Sequence, residues 1–357
     1  MGKELLTEKE KTTLYGIVRY PNFSDKQLSE KIELKHSTVT SIRHRLRNKE
    51  YFRSLIIPRL QNMGCNMLVA IYTNFSPLIP LEERVKITGK TIEVFEEIFF
   101  SVGEQDKGFS LSLSKDYSSI GRINDIRTQT FGSRGLLEDE YPNMVVFPFE
   151  ISKIYRFFDF APLFKQFFSL NKMTLSSVIK DFGKASATRE LLSDTEKKIY
   201  CNLVKYPELS DNNIGDRLGV SRHTVSRIRR VFEKTDLIRR INLPNLKKLG
   251  FDILTFHHIR FDPRNPPDMD KDEAVSLMSD STIFMASRRF ESVMISVHSD
   301  FDDYKRDSTR INQVLKENNW IAQNPLILTY SLNDLYFIKE FSFVPIARKI
   351  LECNIDY

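Results

Sequence analysis

Cysteine is scarce. Cys65, Cys201 and Cys353 are the only three in 357 residues, too few and too scattered for a disulfide framework or a zinc knuckle. A reducing cytoplasm is the expected compartment. Long apolar runs are missing as well, since no stretch approaches the roughly 18 residues of a membrane span. The chain is charged from Lys3 onward, which does not fit a secretory leader. Position 6 is Leu where the myristoylation pattern needs Ser or Thr. No His-Glu-x-x-His, Cys-x-x-Cys, glycine-rich phosphate loop or Gly-x-Ser-x-Gly elbow is present, so neither a metal nor a cofactor is expected. Charge of one sign is not in great excess. Lys plus Arg number 53 against 47 for Asp plus Glu, a net +6, which admits an anionic partner without proving one. Hydrophobic residues at 41% and charged residues at 28% exclude disorder throughout, collagen and coiled coil.

The chain contains an internal repeat. Leu6-Thr-Glu-Lys-Glu-Lys and Arg19-Tyr-Pro-Asn-Phe-Ser-Asp read against Leu192-Ser-Asp-Thr-Glu-Lys and Lys205-Tyr-Pro-Glu-Leu-Ser-Asp. Thr38-Val-Thr-Ser-Ile-Arg43 reads against Thr224-Val-Ser-Arg-Ile-Arg229, and Pro58 and Gly64 against Pro244 and Gly250. All these pairs share one offset, so they align without a gap. Tyr141-Pro142 and Phe160-Ala-Pro162 match Asn324-Pro325 and Phe343-Val-Pro345 at a slightly shorter offset. At about 150 residues per domain the length suggests two or three domains. The repeat divides it further: 1–58 and 192–244 as helical domains, 59–168 and 245–357 as mixed ones, and 169–191, rich in Ser, Thr and Lys, as a linker.

Each copy opens with helices. In the first, Leu14, Ile17 and Val18 lie at helical spacing and Pro21 stops the run. Ser24 caps a short second helix, and a third runs to about Lys49. In the second copy Gly219 makes the turn and Ser221 caps the third helix. Strands and helices then alternate. The first copy gives a strand at 66–75, a helix at 81–98, a hairpin at 99–102 and 109–114, a helix at 118–136 and a strand at 144–151. The second gives 253–261, 270–279, 283–287, 293–298, 302–318 and 326–331 in the same order. That order, βαββαβ, is the ferredoxin-like arrangement, with helices on one sheet face and an open face that needs a partner. The two open faces are expected to pair, within the chain or between chains.

The third helices carry the sharpest pattern. Val225, Ile228 and Phe232 form one apolar stripe, as do Val39, Ile42 and Leu46. The opposite strips hold His223, Ser226, Arg227 and Arg230 in the second copy. In the first they hold Ser37, Thr40, Ser41 and His44, flanked by Arg45 and Arg47. Such a helix, behind a supporting helix and a short turn, suits the major groove of DNA. Thr38, Arg43, Ser221, Arg222, Thr224 and Arg229 complete the candidate set. Arg43 and Arg229 lie near the buried stripe, where an internal ion pair, a phosphate contact and base reading all remain open.

These residues resemble the Lrp/AsnC (feast/famine) family of transcription regulators. The resemblance rests on Ser221-Arg-His-Thr-Val-Ser-Arg-Ile-Arg-Arg as recognition helix and on Leu237 to Gly250 as connector. It also rests on Val102-Gly-Glu-Gln-Asp106 with the alternating strand after it, similar to the family's Gly-x-x-Asp loop. With the repeat, it implies an α+β fold of two tandem units, the resemblance making each a winged-helix or helix-turn-helix domain followed by a ferredoxin-like domain. It also implies double-stranded DNA as partner, an effector such as an amino acid near Gly103 and Asp106, and assembly of homo-oligomers from pseudo-dimers. The family usually has one unit per chain; here two are fused, and the second carries Ser287-Arg-Arg-Phe290 in place of the loop. Gly103 and Asp106 equally suit a plain hairpin turn. Unlike outer strips imply an asymmetric or imperfectly palindromic operator.

The expectation is therefore a regulator without catalysis. Two alternatives stand beside it. Some relatives of similar architecture are sirohaem decarboxylases, for which His257, His258, Arg288 and Arg289 are the residues to offer. A protein-interaction scaffold would show no salt-dependent affinity for DNA. His257 and His258 point to opposite faces of a strand, and ordinary packing with one exposed partner accounts for them. Asp302 and Asp303 open a helix, where they suit its dipole.

Overall fold

The computed structural model describes residues 6–139, 141–170, 182 and 191–353. The linker expected at 169–191 falls almost entirely outside them. The first half contains α1 (Glu8–Arg19), α2 (Asp25–Lys31), α3 (His36–Asn48), β1 (Phe52–Pro58), β2 (Met67–Asn74) and α4 (Leu81–Glu93). It continues with β3 (Ile98–Gly103), β4 (Lys107–Ser114), α5 (Tyr117–Gly132), β5 (Asn143–Pro148), β6 (Ser152–Phe157) and α6 (Ala161–Phe167). The second half contains α7 (Asp194–Lys205), α8 (Asp211–Leu218), α9 (Arg222–Lys234), β7 (Ile238–Pro244), α10 (Leu246–Leu249) and β8 (Ile253–Arg260). It ends with β9 (Thr282–Arg288), β10 (Glu291–His298), α11 (Phe301–Glu317), β11 (Leu326–Ser331), β12 (Tyr336–Lys339) and α12 (Val344–Leu351).

Local chemistry explains the helix starts. Thr7 with Glu10, Ser24 with Gln27 and Ser193 with Glu196 form reciprocal capping boxes at α1, α2 and α7, each satisfying two amides that a helix start leaves open. Ser221 caps α9 through the amide of Thr224. The matched Gly64 and Gly250 sit at φ 101° and 95°, left-handed conformations that close the short helical turns after β1 and β7. Only glycine enters that region without a Cβ penalty, which is why both repeats place it there.

The two mixed halves are antiparallel sheets. One has strand order β11-β8-β10-β9-β6 and the other β12-β3-β4-β2-β5. Within each, the four strands of one repeat have the ferredoxin-like order, and the fold is the tandem α+β arrangement. The fifth strand comes from the other repeat. β6 lies beside β9, and β12 pairs antiparallel with β3 in the register Tyr336↔Gly103 and Phe337↔Val102.

The chain accordingly divides into two compact units of three segments each. Unit 1 comprises Met1–Leu55, Ile154–Phe182 and Arg240–Asn333; unit 2 comprises Ile56–Lys153, Gly183–Arg239 and Asp334–Tyr357. In unit 1 the buried Asn242 donates to Ile17 O at 2.9 Å and accepts from Ser54 Oγ at 2.8 Å. These bonds tie the first helical domain to the segment that leads into the second sheet. In unit 2 Tyr200 Oη donates to Leu237 O at 2.9 Å, and Arg59 pairs with Asp236 at 2.7 Å. The helix side of the unit 1 sheet is apolar, with Ile259, Met285, Met294, Ile311, Leu315 and Trp320 in one cluster. In unit 2, Met67, Val69, Ile71, Ile92, Ile98, Ile120 and Ile123 fill part of the equivalent layer.

Two expectations need correction. The helix expected at 270–279 is a five-residue 3-10 turn, Glu273–Leu277. The Asp268 carboxylate accepts from the amides of Asp270 and Lys271 at 2.9 and 3.4 Å, a local turn that competes with helix. Sequence reasoning also assigned no strand or helix to β6, α6, β12 and α12. No helix among the described residues is long and apolar enough to cross a membrane.

Candidate nucleic-acid interface

Both third helices, α3 and α9, are held by the same device. Arg43 Nε meets Asp25 Oδ1 at 2.7 Å and its Nη2 donates to Phe23 O at 3.2 Å. Arg229 Nε meets Asp211 Oδ1 at 2.8 Å and its Nη2 donates to Leu209 O at 3.3 Å. Each arginine thus links the third helix to the first turn of the second and to the loop before it. Burial pulls the Arg43 guanidinium below its ordinary value, with Asp25 acting against the shift. Of the three roles open from sequence, the internal ion pair is formed by both residues. The apolar stripes Val39, Ile42, Leu46 and Val225, Ile228, Phe232 are buried, which turns the opposite strips to solvent.

Those strips differ. On α3, Ser37, Thr40, Ser41 and His44 are exposed and Thr38 is half-buried. Its remaining arginines are engaged: Arg45 meets Glu10 at 2.5 Å, and Arg47 lies over the Phe52 ring at 5.7 Å. His44 Nδ1 sits 3.3 Å from Asn48 Nδ2. On α9, Arg222, His223, Arg227 and Arg230 are exposed and Ser226 is half-buried. Among the described residues, Arg222, Arg227 and Arg230 make no ion pair or hydrogen bond through their side chains. Ser221 and Thr224 are occupied at the helix start, where their hydroxyls meet at 2.9 Å and Ser221 Oγ accepts from the Thr224 amide at 3.1 Å. The second strip is therefore a cluster of uncompensated guanidinium groups, and the first is a neutral hydrogen-bonding surface.

Gly103 and Asp106 lie in the β3–β4 hairpin. A Cβ at Gly103 would sit 3.1 Å from Lys107 O and 3.3 Å from Arg84 Nη1, so close approach accounts for the glycine. Asp106 accepts from the Phe75 amide through its main-chain oxygen at 2.6 Å, and its carboxylate meets Lys107 Nζ at 3.1 Å.

The histidine pair departs from expectation, since both members are buried. His258 Nε2 lies 3.3 Å from Glu291 Oε2, and Arg288 Nη2 meets Glu291 Oε1 at 2.5 Å. Those hydrogen bonds, the one with His258 first, hold the Glu291 carboxyl below its usual range against the opposing effect of burial. His257 Nε2 lies 3.1 Å from Thr255 Oγ1, which is 3.4 Å from His298 Nε2. Burial, with His298 nearby, pulls His257 down to about 3. Arg289 and Phe290 are exposed at the β9–β10 turn. No cluster of three metal-ligating side chains occurs among the described residues.

No family model matches the chain, and no curated protein does. Solved structures do. The siroheme decarboxylase NirDL is similar over 97% of this chain and 99% of its own, at 9% identity and a TM-score of 0.52. The same enzyme in complex with an iron-uroporphyrin III analogue is similar over 96% and 99%, at 8% identity and a TM-score of 0.51. A transcriptional regulatory protein of the AsnC family from Pyrococcus furiosus is similar over 40% of this chain and 89% of its own, at 17% identity and a TM-score of 0.31.

The full-length likeness establishes the architecture and corrects one expectation. A chain without catalysis was inferred from a regulator-like plan, yet the same plan, end to end, is that of an enzyme. The architecture does not separate the two functions.

Proposed function

We propose that the chain binds duplex DNA through α9 and α3 and acts as a sequence-specific transcription regulator. One observation carries the reading: Arg222, Arg227 and Arg230 stand exposed and uncompensated on the outer strip of a capped, strut-held helix. Arginine pairs bidentately with guanine and meets phosphates directly. The Ser37, Thr40, Ser41 and His44 strip reads by shorter, neutral contacts. Two chemically unlike helices call for two unlike half-sites, hence an operator that is not a true palindrome. Arg43 and Arg229 orient the helices without touching DNA in this reading. Modulation by a small molecule at the Gly103–Asp106 hairpin and assembly into homo-oligomers belong to the same proposal.

The test is selection from a randomised duplex pool, comparing wild type with Arg227→Ala plus Arg230→Ala. A two-part motif, with one part relaxed in the variant, is the expected result. Absence of binding at low salt would reject it.

A second reading has the full-length likeness in its favour, and on coverage it stands ahead of the regulators. Here the chain decarboxylates a tetrapyrrole, with Arg288 and Arg289 near substrate carboxylates and His258 held by Glu291. Addition of iron-uroporphyrin III separates the readings. A shifted absorption band with loss of carboxylates supports the enzyme. An unchanged spectrum beside retained operator binding supports the regulator alone.

A further inference from the structure

Part of the layer between sheet and helices is built from opposite chemistry in the two units. In unit 1, Met285 pairs with Met294 across β9–β10, and both pack with Ile311 and Leu315 of α11. In unit 2 the ladder pairs Ser101 with Ser110 across β3–β4. The buried residues of α5 run Ile123, Arg127, Phe131, where those of α11 run Asp307, Ile311, Leu315. Arg127 therefore occupies the place of an isoleucine, over serines that occupy the place of methionines.

Arg127 is only 2% exposed. Its Nη1 donates to Ser110 Oγ at 2.9 Å, and its guanidinium lies 5.8 Å from the centre of the Phe131 ring. Among the described residues its Nε has no hydrogen-bond partner. Burial alone pulls it down to about 10, with no carboxylate acting on it, so it is a cation at neutral pH. On the strands and helix of the same sheet, Thr73 Oγ1, Ser112 Oγ, Asn124 Oδ1 and Thr128 Oγ1 are buried and, among the described residues, without hydrogen-bond partners. Arg84, 1% exposed, brings a second guanidinium. It lies 4.5 Å from the Phe75 ring and donates to Glu104 O. The Phe75 and Phe131 rings meet edge to face at 6.0 Å.

A buried cation without a counter-charge is costly, and polar groups in a buried layer need partners. Unit 1 shows that the layer can be closed with hydrocarbon. We infer that the unit 2 layer is a site for a small monocarboxylate, its oxygens facing Arg127 and its body beside the Phe75 and Phe131 rings. A carboxylate matches the flat Nε edge of a guanidinium. The hydroxyl groups of the layer add donors, and the charge of Arg127 suits a monoanion.

The test uses the full chain, with acetate and benzoate as probes against chloride at matched ionic strength. Thermal unfolding and the Nε–H resonance of Arg127 are followed together. In wild type the expected result is a saturable rise in Tm with a carboxylate and a shift of the Arg127 signal, and neither with chloride. Arg127→Gln should weaken the response about ten- to a hundredfold, as loss of a charged hydrogen-bond partner does. Ser110→Met with Arg127→Ile, copying unit 1, should fold at least as stably and give no response. An unresponsive wild type would overturn the proposal. So would a response that survives unchanged in both variants, because the anion would then bind elsewhere.

Discussion

His257 shows how far a single residue can tune the fold. It is 1% exposed, its Nδ1 has no hydrogen-bond partner among the described residues, and burial holds its pKa at about 3. The unfolded imidazole titrates near the ordinary value of about 6.5. Between those values the unfolded chain binds a proton that the folded chain refuses, so stability falls as pH falls. The contribution is complete above about pH 6.5 and declines by about 1.4 kcal/mol for each pH unit below it. His298, also lowered by burial, works in the same direction. Tm measured from pH 7.5 to 5.0 should therefore drop steeply below pH 6.5, and His257→Gln should flatten the drop. A profile equally steep in the variant would remove His257 as its cause. Sequence placed this pair in a strand, yet gave no measure of burial on the second face, because burial there depends on residues far away in the chain.

At the scale of elements, one turn in the helical domains separates the two copies. The residue closing the second helix is Gly219 in one, at φ 66°, and Glu33 in the other, at φ 56°. Glycine enters this left-handed region freely, whereas a side chain there costs about 1 kcal/mol. Glu33→Gly should raise the stability of the first helical domain by several tenths to about 1 kcal/mol, and Gly219→Ala should lower that of the second by about as much. Denaturant melts of both variants check the pair, and Glu33→Gly without gain would mean that Glu33 makes a compensating contact. Elements with strong periodicity, such as α1, α9 and the β3–β4 hairpin, were legible in the sequence because their signals are local. β6 and β12 were not. Each is short and is completed by a strand from the opposite half of the chain, a pairing that no local pattern encodes. The struts were half legible: Arg43 and Arg229 stood out as matched, but only the structure brings Asp25 and Asp211 to them.

For the whole molecule, the decisive property is where uncompensated charge sits, because the net excess is small. The arginines of α3 are engaged by Asp25, Glu10 and Phe52, while three on α9 face solvent. If the proposed duplex binding holds, electrostatic affinity should come mainly from the second helical domain, and the first should contribute choice of bases. Each phosphate contact changes the slope of log K against log salt by about 0.9. If Arg222, Arg227 and Arg230 all meet phosphates, replacing them with Ala should reduce the slope by about 2.7 in total; each that reads a base instead lessens the drop and relaxes preference at its position. Ser41→Ala with His44→Ala should leave the slope unchanged and blur one half of the motif. Fluorescence anisotropy across a salt series on one selected duplex measures both effects. Equal slope losses from the two sets of variants would show that the helices share the electrostatic work, and the division of labour argued from their ion pairs would fall.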